Sequence, residues 1–395
     1  MFKRLALLCV LIFSFTVQST VLENTLTPIS YNIRVLENNK KNLQHLNQPF
    51  TTLIRRADKA LTNPIDPVTN KTLMPASGDK HDYYSFGPYW WPNPDTPSGL
   101  PYIRKDGEFN LETRTSATDM QRLITFANNV KLLGLAYYFS DDQKYADKAI
   151  EQLRAWFINS QTKMNPNMNH AQAIPGRVNG RGIGIIDSRV LIGVVDAVEL
   201  IKPTLSEKDY QSIVAWFREF NHWLVSSVNG IDEEKQNNNH GTWYDAQVVA
   251  FSLFTHQPDI AKQRLQITKA KRIANQFDQD GKQDAELART RPWHYSNFNL
   301  QAYSLLGVYG EKLGVDIWSY QNNSIALENG YQYIAQYTIS PERWSLKEFK
   351  KISPSISYSN MLYARHAYAD PIFKKAVTKL NQSKENQSDI ANLLF

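Results

Sequence analysis

Cysteine is almost missing from this chain: its 395 residues contain one, Cys9. No internal disulfide can form. Cys9 lies in an apolar run from Leu5 to Val17, behind the basic pair Lys3 and Arg4. That run is too short to span a bilayer comfortably, and Val17 and Ser19 supply the small residues of a signal-peptidase site. Residues 1–19 therefore read as a secretory signal peptide, and the expected location is periplasmic or extracellular, without membrane attachment after cleavage. The processed chain would have no thiol, which excludes thiolate nucleophiles, cysteine metal sites and redox chemistry. Several motifs are absent as well: GxSxG, GxxxxGK[ST], HExxH and the EF-hand loop. No metal and no cofactor is implied.

Charge of one sign is also scarce. The chain has 44 Lys and Arg against 38 Asp and Glu, and losing Lys3 and Arg4 lowers the formal charge from +6 to +4. No basic block is dense enough for nucleic acid. A mild positive balance does suit steering toward an acidic polymer. Aromatics are plentiful at 12%, which fits both a large core and a sugar-binding surface. The apolar fraction, 42%, argues against wholesale disorder.

Alternating strand patterns long enough to build a sheet are missing too. Helical spacing covers most of residues 20–380: 128–138, a segment opened by Ser140-Asp-Asp-Gln143, 187–201 stopped by Pro203, and one opened by Ser206. Further helices fit 241–256, 258–277, 298–313, 324–338, 357–368 and 371–382. This count predicts an all-α single domain of helical hairpins, an (α/α) toroid or incomplete barrel, followed by a polar, frayed tail over 381–395. Three stretches interrupt the pattern, 63–112, 161–186 and 228–240. Long ordered loops in a compact helical domain are usually functional.

These loops and their borders hold the candidate chemistry. Asn237-Asn-Asn-His240-Gly-Thr-Trp243-Tyr244-Asp245 places His240, Trp243, Tyr244 and Gln247 on one face of a starting helix. Glu286-Leu-Ala-Arg289-Thr-Arg291-Pro-Trp293-His294-Tyr295 crowds two Arg, a His and a Tyr before another. Arg binds carboxylates bidentately, and a Tyr beside Arg cations ionises more easily, as a base must. Tyr83 to Asp95 alternates aromatics with proline, a rigid platform for sugar rings. The loop Gly176–Gly184 carries Asn179 and Arg181 among glycines that would let backbone approach a ligand. The alternative readings are structural: a capped helix with a core His, a surface Arg pair, an aromatic loop over the core, a turn between helices.

Together, Tyr84-Ser-Phe-Gly-Pro-Tyr-Trp-Trp-Pro-Asn-Pro, Asn238-Asn-His-Gly-Thr-Trp-Tyr and Glu286-Leu-Ala-Arg-Thr-Arg-Pro-Trp-His-Tyr resemble the alginate lyase superfamily of polysaccharide lyases. The likeness is nearest to the branch that includes endo-glucuronan lyases and covers roughly residues 45–370. It implies an (α/α) toroid, an acidic polysaccharide substrate and metal-independent β-elimination at a uronate. It carries the family's Asn-His pair onto Asn239 and His240, and its Arg and Tyr onto Arg289 and Tyr295. Arg291 is the alternative to Arg289. Tyr84, Tyr89, Trp90, Trp91, Asn179, Arg181, Trp243, Tyr244, Arg291 and His294 are the expected substrate-binding residues.

The chemistry suits those residue types. H5 of a uronate is poorly acidic beside an ionised carboxylate, so Asn239 and Arg289 would neutralise that carboxylate and stabilise the enolate-like intermediate. In a syn elimination Tyr295 would take H5 and then protonate O4, with His240 as helper. In an anti elimination His240 would be the base and Tyr295 the acid. Two other classes stay open: a glycoside hydrolase using two of Asp187, Asp245 and Glu286, and a non-catalytic binder of acidic polysaccharide.

Overall fold

The computed structural model describes residues 27–395, so the expected signal peptide lies outside the described residues. The long helices are α1 (Ile33–Lys41), α2 (Asn47–Thr62), α3 (Met120–Ser140), α4 (Gln143–Leu153), α5 (Leu191–Ile201), α6 (Glu207–Ser226) and α7 (Val228–Glu234). They continue as α8 (Asn239–Phe254), α9 (Pro258–Ile267), α10 (Pro292–Leu313), α11 (Leu327–Ile339), α12 (Tyr358–Ala367) and α13 (Pro371–Leu380). Successive helices pack as neighbours: α2 on α3, α3 on α4 and α5, α6 on α8, α8 on α9 and α10, and α11 and α12 on α13. The result is the (α/α) toroid.

Local sequence explains many boundaries. Asp142 caps α4 by accepting from Lys144 N, and Ser206 caps α6 by accepting from Asp209 N. Pro292 stands at the first position of α10, where its missing N–H costs nothing. That helix therefore begins six residues before the apolar spacing suggested. α3 and α5 cross at Gly134, where a Cβ would come within 2.7 Å of Ala197 Cβ. α8 lies at the centre: every residue of it except His240 is buried. A helix buried all round has no polar face to show solvent.

The loops are ordered and joined. β1 (Tyr84–Phe86) pairs in parallel with β4 (His170–Ala173), bringing 63–112 against 161–186. β2 (Trp90–Trp91) pairs antiparallel with β3 (Ile103–Arg104). The buried ion pair Lys71–Asp119, at 3.0 Å, anchors this wall, because Asp119 also accepts from Tyr84 N at 2.9 Å. The glycines of 176–184 serve packing: a Cβ on Gly180 would fall 1.9 Å from the Asn169 carbonyl oxygen. Gly180 and Gly184 bring the loop onto β4.

Two expectations change. The stretch 228–240, read as a loop, contains α7, whose N-cap Ser227 accepts from Gly230 N. The segment 381–395 is packed and not frayed: Leu393 is buried, and Asn39 Nδ2 donates to the carbonyls of Leu393 and Phe395. The turn Ile390–Leu393 packs against α2. Among the described residues no helix is long and apolar enough to cross a membrane.

Candidate active site

α8 and α10 begin side by side at the mouth of a cleft of about 600 Å³. At the start of α8, Asn238 caps by accepting from His240 N at 3.0 Å. Asn239, 1% exposed, is held on Glu286: its backbone N and its Nδ2 donate to the two carboxylate oxygens at 2.6 and 2.7 Å. One amide hydrogen of Asn239 is left over. His240 puts Nδ1 2.9 Å from Oε1 of Glu233, a fully buried carboxylate on α7. Burial pushes the Glu233 carboxyl up, and the neighbouring imidazole opposes this.

Tyr295 lines the same cleft from the first turn of α10. Its hydroxyl accepts from Arg289 Nη2 at 2.9 Å and is hydrogen-bonded to the hydroxyl of Tyr89. The Arg289 guanidinium also lies 3.8 Å from the Tyr295 ring centroid. Asp106 fixes that guanidinium through both Nε (3.2 Å) and Nη2 (2.8 Å). Burial first, then Tyr89, push the phenol well above the ordinary value, and Arg289 only partly opposes them. The ease of ionisation expected from the arginines is outweighed by desolvation.

The cleft is lined by five arginines, Arg104, Arg114, Arg181, Arg189 and Arg289, against one carboxylate, Asp187. Asp187 is buried and occupied by donors from Tyr83 (3.1 Å), Ser85 (2.7 Å) and Gln172 Nε2 (2.9 Å). Arg181 donates to the carbonyl and Oε1 of Gln172, both at 3.0 Å. Arg189 donates to the Ile186 carbonyl and lies 5.0 Å over the Phe298 ring. Neither is paired to a carboxylate among the described residues, so both remain available to an anion. Arg189, Glu233, Asp106 and Gln172 were not singled out from sequence. The one available signal for Arg189 was an Asp-Ser-Arg triplet inside an otherwise apolar run.

The other expected binding residues divide by place. Tyr89, Trp90, Arg181 and His294 line the cleft beside the catalytic candidates. His294 is stacked on Phe298, and burial plus Arg291, Arg189 and Arg289 lower its pKa to about 4. Several do not line it. Tyr84 packs edge-on against Phe86, and Trp91 donates to the Glu108 carbonyl. Asn179 is exposed, with its carbonyl toward His170. Trp243 is buried and donates to the Phe298 carbonyl; it borders a second cavity that shares Arg189 and Gln301 with the cleft. Tyr244 is in the core with its hydroxyl on the Leu224 carbonyl, because a helix buried all round turns it inward. Arg291 lies beside Phe109, outside the cleft wall.

A sequence model described as alginate lyase matches residues 67–344. The chain belongs to the alginate lyase family. It is a polysaccharide lyase. The lyase is similar over most of its length to an alginate lyase from Bacteroides ovatus, at 33% identity, TM-score 0.89, and coverage of 92% of this chain and 98% of that one. Alginate lyase A1-III from Sphingomonas species A1 shares the fold at 13% identity and TM-score 0.51, covering 82% and 90%. A tyrosine-to-phenylalanine variant of A1-III complexed with a tetrasaccharide gives 11% identity and TM-score 0.57, covering 93% and 95%. A comparison with curated proteins finds no match.

Proposed function

We propose that this lyase cleaves a β-linked polyuronate, polymannuronate or glucuronan, by syn elimination at the cluster Asn239, His240, Arg289 and Tyr295. The observation that carries the reading is the hydroxyl of Tyr295 held on Arg289, in the same arginine-lined cleft as the Asn239-His240 pair. Asn239's remaining amide hydrogen, Arg289 and His240 neutralise the substrate carboxylate. Tyr295 first gives its proton to solvent water; the tyrosinate then takes H5, the C5–H electron pair forms the C4=C5 double bond, and the C4–O4 bond breaks. The phenol then returns its proton to O4, so ionisation is conserved from one turnover to the next. Two donors at that oxygen, Arg289 and Tyr89, stabilise the tyrosinate once formed. Residues of these two types were substituted in the related A1-III structures, which include a histidine-to-alanine and a tyrosine-to-phenylalanine variant, each complexed with a tetrasaccharide.

The hydrolase reading loses its carboxylates. Asp187 and Glu286 are buried and occupied, and Asp245 is buried in an ion pair with Arg272 at 3.0 Å. The test is ultraviolet absorbance of the reaction with polymannuronate, glucuronan, polyguluronate, hyaluronan and pectate. Absorbance should rise with one of the first two, and Tyr295→Phe should abolish it while oligosaccharide still binds. Reducing ends without absorbance, or an active Tyr295→Phe, would overturn the reading.

A further inference from the structure

Glu233 has no part in the scheme above, yet it is the group closest to the ring of His240. We propose that Glu233 is a positioning residue for the elimination: by accepting from Nδ1 of His240 it turns Nε2 toward the cleft and keeps the ring cationic. His240 is then a clamp for the substrate carboxylate and not a base. This deepens the polyuronate-lyase reading and rests on it.

The argument starts with α7. Ser227 caps its N-terminus, and its far end is locked by charge: Glu234 pairs with Arg264 at 2.8 Å, and Arg272 donates to the carbonyls of Glu234 (2.7 Å) and Gln236 (2.9 Å). Arg272 is itself fully buried on Asp245. This frame has little freedom, so Glu233 is presented to His240 in one geometry. Its Oε1 lies 2.9 Å from Nδ1, while Oε2 is buried with no hydrogen-bond partner among the described residues. A buried carboxylate served by one donor is costly unless that donor is charged. An imidazolium meets this need; a neutral ring meets half of it.

The other charges around the pair do not replace that role. Asp232, on the same helix, and Glu286, behind Asn239, are anionic and favour a positive ring. Arg272 and Arg181 flank Glu233, but their hydrogen bonds go to Asp245 and backbone carbonyls and to Gln172. A ring that donates from Nδ1 to Glu233 and carries a proton on Nε2 has no lone pair for H5. Proton removal then falls to Tyr295, and substrates that require a base on the opposite face, such as α-L-guluronate, are disfavoured.

The experiment follows the histidine ring by NMR in protein labelled at histidine carbon, with the His240 signal assigned by its loss in His240→Gln. In the unmodified protein the ring should be cationic at the pH of full activity. A ring that is neutral there overturns the proposal without any variant. Glu233→Gln keeps the side-chain shape and removes the charge. It should move the His240 titration lower and reduce kcat/KM ~10-fold or more. The double variant should be no worse than His240→Gln alone, since one residue acts through the other. Additive losses, or an unmoved titration, would refute the role of Glu233. If His240→Gln itself costs no activity, the reading of the cleft fails instead.

Discussion

His294 stands beside the tyrosine and behaves unlike His240. It is stacked on Phe298 among three arginines, and no carboxylate compensates it among its hydrogen-bonded or ion-paired neighbours in the described residues. Burial and those cations set its pKa at about 4, below the value of about 6.5 in an unfolded chain. The unfolded state therefore binds the proton first, and stability falls as pH drops from about 6.5 through about 4. His294→Asn should flatten this part of a melting-temperature profile against pH. An equally steep profile in the variant would show that other groups control it. Sequence could name both histidines but could not tell them apart, because the difference lies in Glu233 and in Arg189, each brought in by a separate element.

The aromatic segment shows what an element adds to its residues. Tyr89 and Trp90 line the cleft, while Tyr84 and Trp91, from the same run, do not. Within β2, Trp90 and Trp91 are consecutive and so face opposite sides of the strand. Lys71–Asp119 holds that wall from behind. Asp119→Ala leaves a buried ammonium without its partner and should cost ~3–5 kcal/mol, read by chemical denaturation. A loss under about 1 kcal/mol would mean that water or a rearranged neighbour replaces the carboxylate. Helix existence was legible in most segments because apolar spacing is a local property. α7 escaped because seven residues between the end of α6 and an Asn run carry too little periodicity, and it is α7 that carries Glu233.

At the scale of the whole molecule, the toroid collects arginines that are far apart in the chain, from Arg104 to Arg289, into one cleft. The net charge of +6 conceals this local excess. A polyanion should feel it as steering and as direct pairing, both weakened by salt. Raising ionic strength from about 0.05 to about 0.5 M should raise KM for the polymer several-fold while kcat changes little. A salt-independent KM would show that hydroxyl contacts and stacking dominate binding. The ring is closed by its ends: Ser30 donates from its N and Oγ to Asp196 at 2.6 and 2.5 Å, and Asn39 holds the last residues.

By itself the sequence determined the helical class and the family and marked the segments that hold the candidate residues, because spacing, capping and motif are written in consecutive positions. Only the tertiary structure decided which of those residues meet. Asn239 rests on Glu286, His240 on Glu233, and Tyr295 on Arg289 and Tyr89, pairs separated by as few as 6 and as many as 206 positions. Burial also reversed one expectation that local charge supported, the easy ionisation of Tyr295. Desolvation depends on everything packed around a group, and no stretch of sequence contains that sum.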